Sequence, residues 1–286
     1  ESGSTDTFTV VLDAEPTSDV VLTITSDDTG EATLNSPLTF TSADWDTPQT
    51  VTVTGVDDGF VDGTITSTIT IAVDDANSDD DFDSVADQTV SVDTTDDDVA
   101  GFTIEETEGS TEVDESGSTD TFTIVLDAQP TTDVVVLATA SNDETEAIVS
   151  GSITFTSENW DTPQTVTVTG VDDDLVDGDQ TYDITISIVD TISDDDFDGV
   201  ADQSVSSTTL DDDAPGFTIE ETDAATEVDE SGSTDTFTVV LDAQPTSDVV
   251  LTISSDDTGE ATVPASVTFT SADWDTPQTV TVTGVD

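Results

Sequence analysis

The sequence predicts an all-β protein built from tandem antiparallel β-sandwiches, and three observations predict it. Apolar residues alternate with Thr, Ser and Asp at period two, the signal of a half-buried strand. Phe122, Ile124 and Leu126 share one face, and Ile153 with Phe155, Val166 with Val168, and Tyr182, Ile184, Ile186 and Ile188 repeat the pattern. No stretch of useful length carries a 3.6-residue period. Whole segments also recur: ESGSTDTFTVVLDAEPTSDVV opens at Glu1 and returns nearly unchanged from Glu115 and Glu230, and WDTPQTVTVTGVD recurs identically from Trp45, Trp160 and Trp274. The spacing of 114 to 115 residues is too long for a solenoid unit and suits a string of whole domains. A single-residue insertion between Asp133 and Phe155 accounts for the difference.

Within a repeat, the run GFTIEET opens a first strand after an acidic triplet, in TTDDDVAGFTIEET (residues 94–107) and TLDDDAPGFTIEET (residues 209–222). These junctions place repeats at 1–99, 100–214 and 215–286, the first lacking its first strand and the last its final strands, as in a window on a longer repetitive protein. Thr fills the outward positions of the strands that follow, where a β-branched polar residue suits a solvated sheet. Gly, Pro and Asp turns separate strands short enough for an immunoglobulin-like sandwich of about seven per repeat. Trp160, ahead of Asp161, Thr162 and Pro163, stands at a strand entry and is expected to plug one end of the core; the sharper alternative is an exposed sugar platform. No hydrophobic stretch reaches membrane length.

Charge sets the functional question. Among 286 residues there is no Lys, Arg, His or Cys against 68 Asp and Glu, a formal charge of -68. Self-repulsion of that size opposes a compact state, and no internal cation relieves it. Bulk salt and bound divalent metal remain, and hard oxygen ligands favour calcium over zinc or copper. Nucleic acid is excluded as a partner because phosphates require Lys and Arg, and anionic membrane surfaces are excluded likewise. Cys nucleophiles, His- or Lys-activated hydroxyls and His-containing metal centres cannot be built. Paired acids for glycoside hydrolysis would also need a cleft with aromatic platforms. The few aromatics here have core explanations, so the chain is not read as an enzyme. Neither a core disulfide nor a Lys-based isopeptide crosslink is available, which leaves metal as the staple.

The loop SDDDFDGVADQ (residues 193–203) contains Asp194, Asp196 and Asp198 before Gly199, the opening of a D-x-D-x-D-G calcium loop. The signal is incomplete: Val205 stands where an EF-hand places Glu, no flanking helices are encoded, and the first repeat has Ser84 in place of the Gly. A calcium loop and a solvated hairpin tip anchored by Phe197 are both open readings.

The run EVDESGSTDTFTIVLDAQPTTDVVV (residues 112–136), followed by ITFTSENWDTPQTVTVTGVDDDLVDGDQTYDITI (residues 153–186), resembles the Calx-beta domain. The shared features are a Val-x-Glu before a Gly turn, a first long strand, and a DD-x3-acid-Gly loop leading into an aromatic strand. The resemblance implies calcium in loops at one end of each sandwich, beside the next domain. It nominates Glu115, Asp172, Asp173 and Asp177 with the seam residues Asp211, Asp212 and Asp213, and Asp143 more weakly. In the first repeat the matches are Glu1, Asp57, Asp58, Asp62, Asp96, Asp97 and Asp98, with Gly59 in place of Asp174 and Thr64 in place of Asp179. The third repeat offers Glu230 and Asp286. Clustered carboxylates also suit calcium on physical grounds, since the ion takes six to eight oxygens; the alternative is a set of solvated, solubilising loops.

Long arrays of similar repeats occur in giant bacterial surface proteins and adhesins. The expectation is therefore a secreted or cell-surface, non-enzymatic stalk, extender or filament in adhesion, biofilm or matrix, stiffened by Ca2+. Its partners would be neighbouring repeats of the same chain and identical chains in a filament or matrix. A glycan- or receptor-binding adhesin module, and a filament subunit completed by strand addition, are the alternatives. Absence of Lys and Arg also removes every trypsin-type cleavage site.

Overall fold

A computed structural model describes residues 1–141 and 145–286 of the chain, and it is nearly all β. In the first repeat, β1 (Thr5–Val10), β2 (Val20–Ser26), β3 (Ala32–Leu34), β4 (Leu38–Phe40), β5 (Gln49–Gly55), β6 (Ile65–Val73) and β7 (Gln88–Thr94) form two sheets, β1-β5-β3 and β4-β2-β6-β7. The middle repeat contributes β8 (Phe102–Glu106), β9 (Thr111–Asp114), β10 (Thr119–Leu126), β11 (Val134–Ala140), β12 (Ala147–Val149), β13 (Ser152–Phe155), β14 (Gln164–Gly170), β15 (Gln180–Ile188) and β16 (Gln203–Leu210). These form β12-β14-β10-β8 and β13-β11-β15-β16-β9. The last repeat holds β17 (Phe217–Glu221), β18 (Thr234–Leu241), β19 (Val249–Thr252), β20 (Ala261–Thr262), β21 (Ser266–Phe269) and β22 (Gln278–Gly284), in sheets β17-β18-β22-β20 and β19-β21.

Alternation drives this architecture. Phe122, Ile124, Phe155, Val166, Val168, Ile184 and Ile186 are fully buried between the two sheets of the middle repeat, each contributing about 1.5–3 kcal/mol by leaving water. The outward face of β10 and β14 pairs Thr with Thr directly across the strands, at Thr119 and Thr169, Thr121 and Thr167, and Thr123 and Thr165. Phe197 is buried in the same core, as an anchor for its loop requires, and Trp160 is half-buried against one end of it. The first and last repeats have separate, smaller cores around Phe40 and Phe269.

Two details depart from the expected all-antiparallel, seven-stranded repeat. Among the described residues the middle repeat has nine strands, and β9 runs parallel to β16, with Thr111 opposite Ser207. The opening segment splits: β8 pairs antiparallel with β10, then the chain crosses to the other sheet through Glu108 and Gly109, both at positive φ, before β9 begins. Having changed sheets without reversing, it can only lie parallel to the last strand. In the third repeat the same TEVD sequence at residues 226–229 is not a strand. Phe217 there is 52% exposed where Phe102 is 3% exposed. Among the described residues no helix is long and apolar enough to cross a membrane.

Candidate metal centre

The acidic groups converge where one repeat meets the next. β14 ends at Gly170, and a Cβ built there would fall 1.9 Å from the carbonyl oxygen of Asp114. Only glycine admits the chain so close, and this crossing carries the following residue, Glu115, over the end of the sandwich. The Glu115 N–H donates to the Leu210 carbonyl at 3.2 Å, fixing it beside the acidic triplet. In the first repeat the Glu1 nitrogen donates to the Thr95 carbonyl at 2.5 Å, the equivalent bond. Short strands bring a further acid on each side: the Glu146 carbonyl accepts from Val171 at 2.9 Å and from Thr209 Oγ1 at 3.2 Å, and the Glu31 carbonyl accepts from Val56 at 2.8 Å.

Carboxylate oxygens of Glu115, Asp173 and Asp213 lie within 4.8 Å of one another. The first repeat has two such groups sharing one residue: Glu1, Asp58 and Asp98, and Glu1, Glu31 and Asp62. Glu1 and Glu115 are 3% and 1% exposed, yet both oxygens of Glu1 and Oε2 of Glu115 lack a hydrogen-bond partner, as do buried Oε2 of Glu31 and Oδ2 of Asp213. Burial, then the charges of Asp58, Asp96 and Asp62, push the Glu1 carboxyl up to about 7. Burial, followed by Asp173, Asp211 and Asp177, pushes Glu115 up to about 7. Burial first and neighbouring carboxylates second also raise Glu31, Asp62, Asp98, Glu146 and Asp213. Buried carboxylate oxygens that lack donors and lie among other carboxylates are costly unless a cation joins them. The donor set is all hard oxygen and fits calcium, with Glu1, Glu31, Asp58, Asp62 and Asp98 to hold it at one seam and Glu115, Asp173 and Asp213 at the other.

Other nominated residues take supporting positions. Asp211 accepts from Gly178 N–H at 2.7 Å and Asp213 N–H at 2.9 Å, and Asp96 accepts from Asp62, Gly63 and Asp98 N–H at 3.0, 2.9 and 2.7 Å. These residues shape the loops that present the acids. Asp57 accepts from Ser2 N–H at 3.2 Å, while Asp97, Asp172, Asp177 and Asp212 are exposed at the rim. Glu230 and Asp286 are exposed and belong to no three-acid group among the described residues. Asp143 lies outside the described residues.

The second acidic loop behaves differently. Asp194 is 3% exposed, but its oxygens accept from Thr132 N–H at 2.7 Å, Thr131 Oγ1 at 2.8 Å and Asp196 N–H at 3.2 Å. It caps the 3-10 turn Asp195–Phe197, while Asp196 and Asp198 point outward, and the three carboxylates form no three-acid group among the described residues. The hairpin-tip arrangement is the one seen: the first carboxylate of the D-x-D-x-D-G string is held by Thr131, Thr132 and Asp196. Glu31, in a three-acid group, and Glu146, an electrostatic neighbour of Glu115, lie outside the motifs that nominate the other acids. Their signal is a Glu-Ala pair that recurs in every repeat, at Glu31, Glu146 and Glu260.

No family model and no curated protein matches the sequence. Solved structures similar to the chain include the apo form of a Calx CBD1 domain, at 17% identity and a TM-score of 0.29 over 39% of this chain and 98% of that one. Domains 4 and 5 of the surface-layer protein SbsC align at 16% identity and a TM-score of 0.30, covering 66% and 70% of the two chains. The E. coli chaperone DraB aligns at 10% identity and a TM-score of 0.29, covering 66% and 88%. Scores of this size establish neither family nor function.

Proposed function

We propose that the chain is a stretch of a calcium-stiffened extracellular rod, a non-enzymatic stalk, extender or filament built from repeats at 1–99, 100–214 and 215–286. The observation that supports it most is the acidic groups at the two seams, built around the buried Glu1, Glu31 and Glu115, with carboxylate oxygens that no protein donor satisfies. An ion there joins the turn before β10, the loop after β14 and the triplet that leads into the following repeat. Binding energy then resists bending at the seam, and relief of carboxylate repulsion stabilises the repeat itself. The many Thr on outward faces and the absence of cationic side chains suit a solvated exterior that keeps rods apart.

The test is a calcium titration of the full chain, read by thermal unfolding and by small-angle scattering, against sodium chloride of equal ionic strength. The expected result is a higher melting midpoint and a longer maximum dimension in calcium alone. Identical melting and dimensions in calcium and chelator would discard the reading. The same rod presented as a glycan-binding module would instead give saturable, calcium-independent sugar binding lost in Trp160→Ala.

A further inference from the structure

The loop that carries the site acids also touches the next repeat, and it does so in the same way at both seams. Gln129, in the turn between β10 and β11, donates its N–H to the Gly59 carbonyl at 2.6 Å. Gln244, its counterpart one repeat later, donates to the Asp174 carbonyl at 2.6 Å. Phe60 with Gln129, and Leu175 with Gln244, form short parallel bridges across the seams. Each Gln is itself pinned, its side-chain amide donating to Ser157 at 2.9 Å or Ser271 at 2.8 Å. Beside the bridge, Val61 packs against the core of the middle repeat, and Val176 lines a cavity with Pro215, Phe217 and Leu241 of the last. A Cβ built on Gly59 would sit 3.6 Å from Trp160 Cζ2, so this Trp closes its own core on one side and meets the neighbouring loop on the other.

The bridge and the acidic group are joined by a single hydrogen bond. Phe60 N–H donates to Asp58 Oδ1 at 2.9 Å, and Leu175 N–H donates to Asp173 Oδ1 at 2.7 Å. Asp58 and Asp173 are members of the three-acid groups. A change in how either carboxylate is held therefore moves the N–H of the bridging residue, which belongs to the same planar peptide group as the carbonyl that Gln129 or Gln244 grips. We propose that the loop tips 59–61 and 174–176 are latches that set the orientation of the following repeat and pass the state of the acidic group to it through Asp58 and Asp173. The latch is made of protein groups alone, so it orients the repeats without metal; its coupling to the acids rests on the calcium reading above. By linkage, whatever undocks the latch must also weaken binding at the site.

The chain has no Cys, so spin labels attach cleanly to the 286-residue chain at Asp46→Cys and Asp161→Cys, exposed and equivalent positions in adjacent repeats. Val61→Asp puts a charge in the apolar contact, and Val61→Thr, milder, guards against misfolding of the first. The expected result in chelator is a single dominant interspin distance for the parent and its loss in Val61→Asp, with partial broadening in Val61→Thr, at unchanged circular dichroism. A dominant distance retained by both variants overturns the latch. In calcium, titration calorimetry is expected to show affinity at the first seam weakened on the order of tenfold in Val61→Asp. Unchanged affinity with a broadened distance overturns the coupling and leaves a passive hinge. A parent that gives no calcium heat sinks the calcium reading and the coupling together, while the distances in chelator still decide the latch.

Discussion

Glu115 and Asp194 are both carboxylates almost sealed from water in the same repeat, and they differ in what their oxygens face. Asp194 faces donors. Burial pulls its carboxyl up, but hydrogen bonds from Thr132, Thr131 and Asp196 outweigh burial and leave it below the ordinary range. Asp79, its counterpart in the first repeat, is held at about 2 by Ser18, Asp81 and Thr17. Glu115 faces acids, and burial and charge both push it the other way. Burial of an acid is therefore not the mark of a metal site. Buried oxygens that no protein donor meets, set among other acids, are the stronger signal, because their charge is compensated by nothing in the chain.

The sharpest way to break this contrast is to delete the tip cap. Asp194→Ala leaves the Thr132 and Asp196 N–H groups without their acceptor and is expected to cost roughly 3 kcal/mol in urea denaturation, equally in calcium and in chelator. Asp79→Ala should behave alike. A loss that calcium restores would move the tip from cap to metal site.

At the seam the signs invert. With extracellular-type affinity near 10⁻⁴ M, about 10 mM calcium is expected to add roughly 2.7 kcal/mol per site. Glu115→Gln should remove the second seam's share while raising stability in chelator, because it deletes a buried charge that faces Asp173 and Asp211. Glu146→Gln should lower calcium affinity as well, although no motif nominates Glu146. A Glu115→Gln protein that keeps the full calcium increment would disconnect the buried acid from the ion.

Legibility in the sequence depends on what each feature needs. Strand faces were legible because alternation is local: Phe122, Ile124, Tyr182 and Ile184 are buried as their period demands. The split of the first segment into β8 and β9 was not legible, since it depends on two residues at positive φ and on the last strand arriving beside it. For the site, Glu115, Asp173 and Asp213 were nominated from motif order. Glu146 was missed because its neighbours in space come from β14 and β16, far along the chain. At Asp194, where a calcium loop and a hairpin tip were both open, a D-x-D-x-D-G string does not reveal that Thr131 and Thr132 lie against the carboxylate.

The pH dependence separates the two regions without any substitution. Glu115 titrates at about 7 in the folded chain against an ordinary value of 4.5, so between these values the folded state holds more protons than the unfolded one. Stability in chelator is expected to fall as pH rises from 4.5 to 7, since stability rises with pH only where the unfolded state binds more protons. Asp79 has the opposite sign: its stabilisation is complete above 3.8 and is lost as pH falls towards 2. Calcium should flatten the upper limb by competing with protons for Glu1 and Glu115, and leave the lower limb unchanged. Urea midpoints across pH, with and without calcium, check both limbs, and an upper limb that persists in the Glu1→Gln, Glu115→Gln double variant would assign it to the general charge of the chain.

The smallest effect is expected inside the acidic triplets, where neighbours in sequence have different surroundings. Asp96 and Asp98, like Asp211 and Asp213, are half-buried and turned toward the site, while Asp97 and Asp212 are exposed. Strand-like alternation just past β7 and β16 causes this, because successive side chains leave the backbone on opposite sides. Asp97→Asn and Asp212→Asn should therefore shift stability by no more than about 0.5 kcal/mol, the usual range for surface changes. Their calcium affinity should drop only through the loss of one screened charge. Asp98→Asn and Asp213→Asn remove a member of each three-acid group and should lower affinity far more. Calorimetry at two salt concentrations distinguishes the cases: the small effect of the outer residues should vanish at high salt, and that of the inner residues should persist. Equal losses at Asp212 and Asp213 would mean that the triplet acts as a diffuse negative patch rather than as a set of directed ligands.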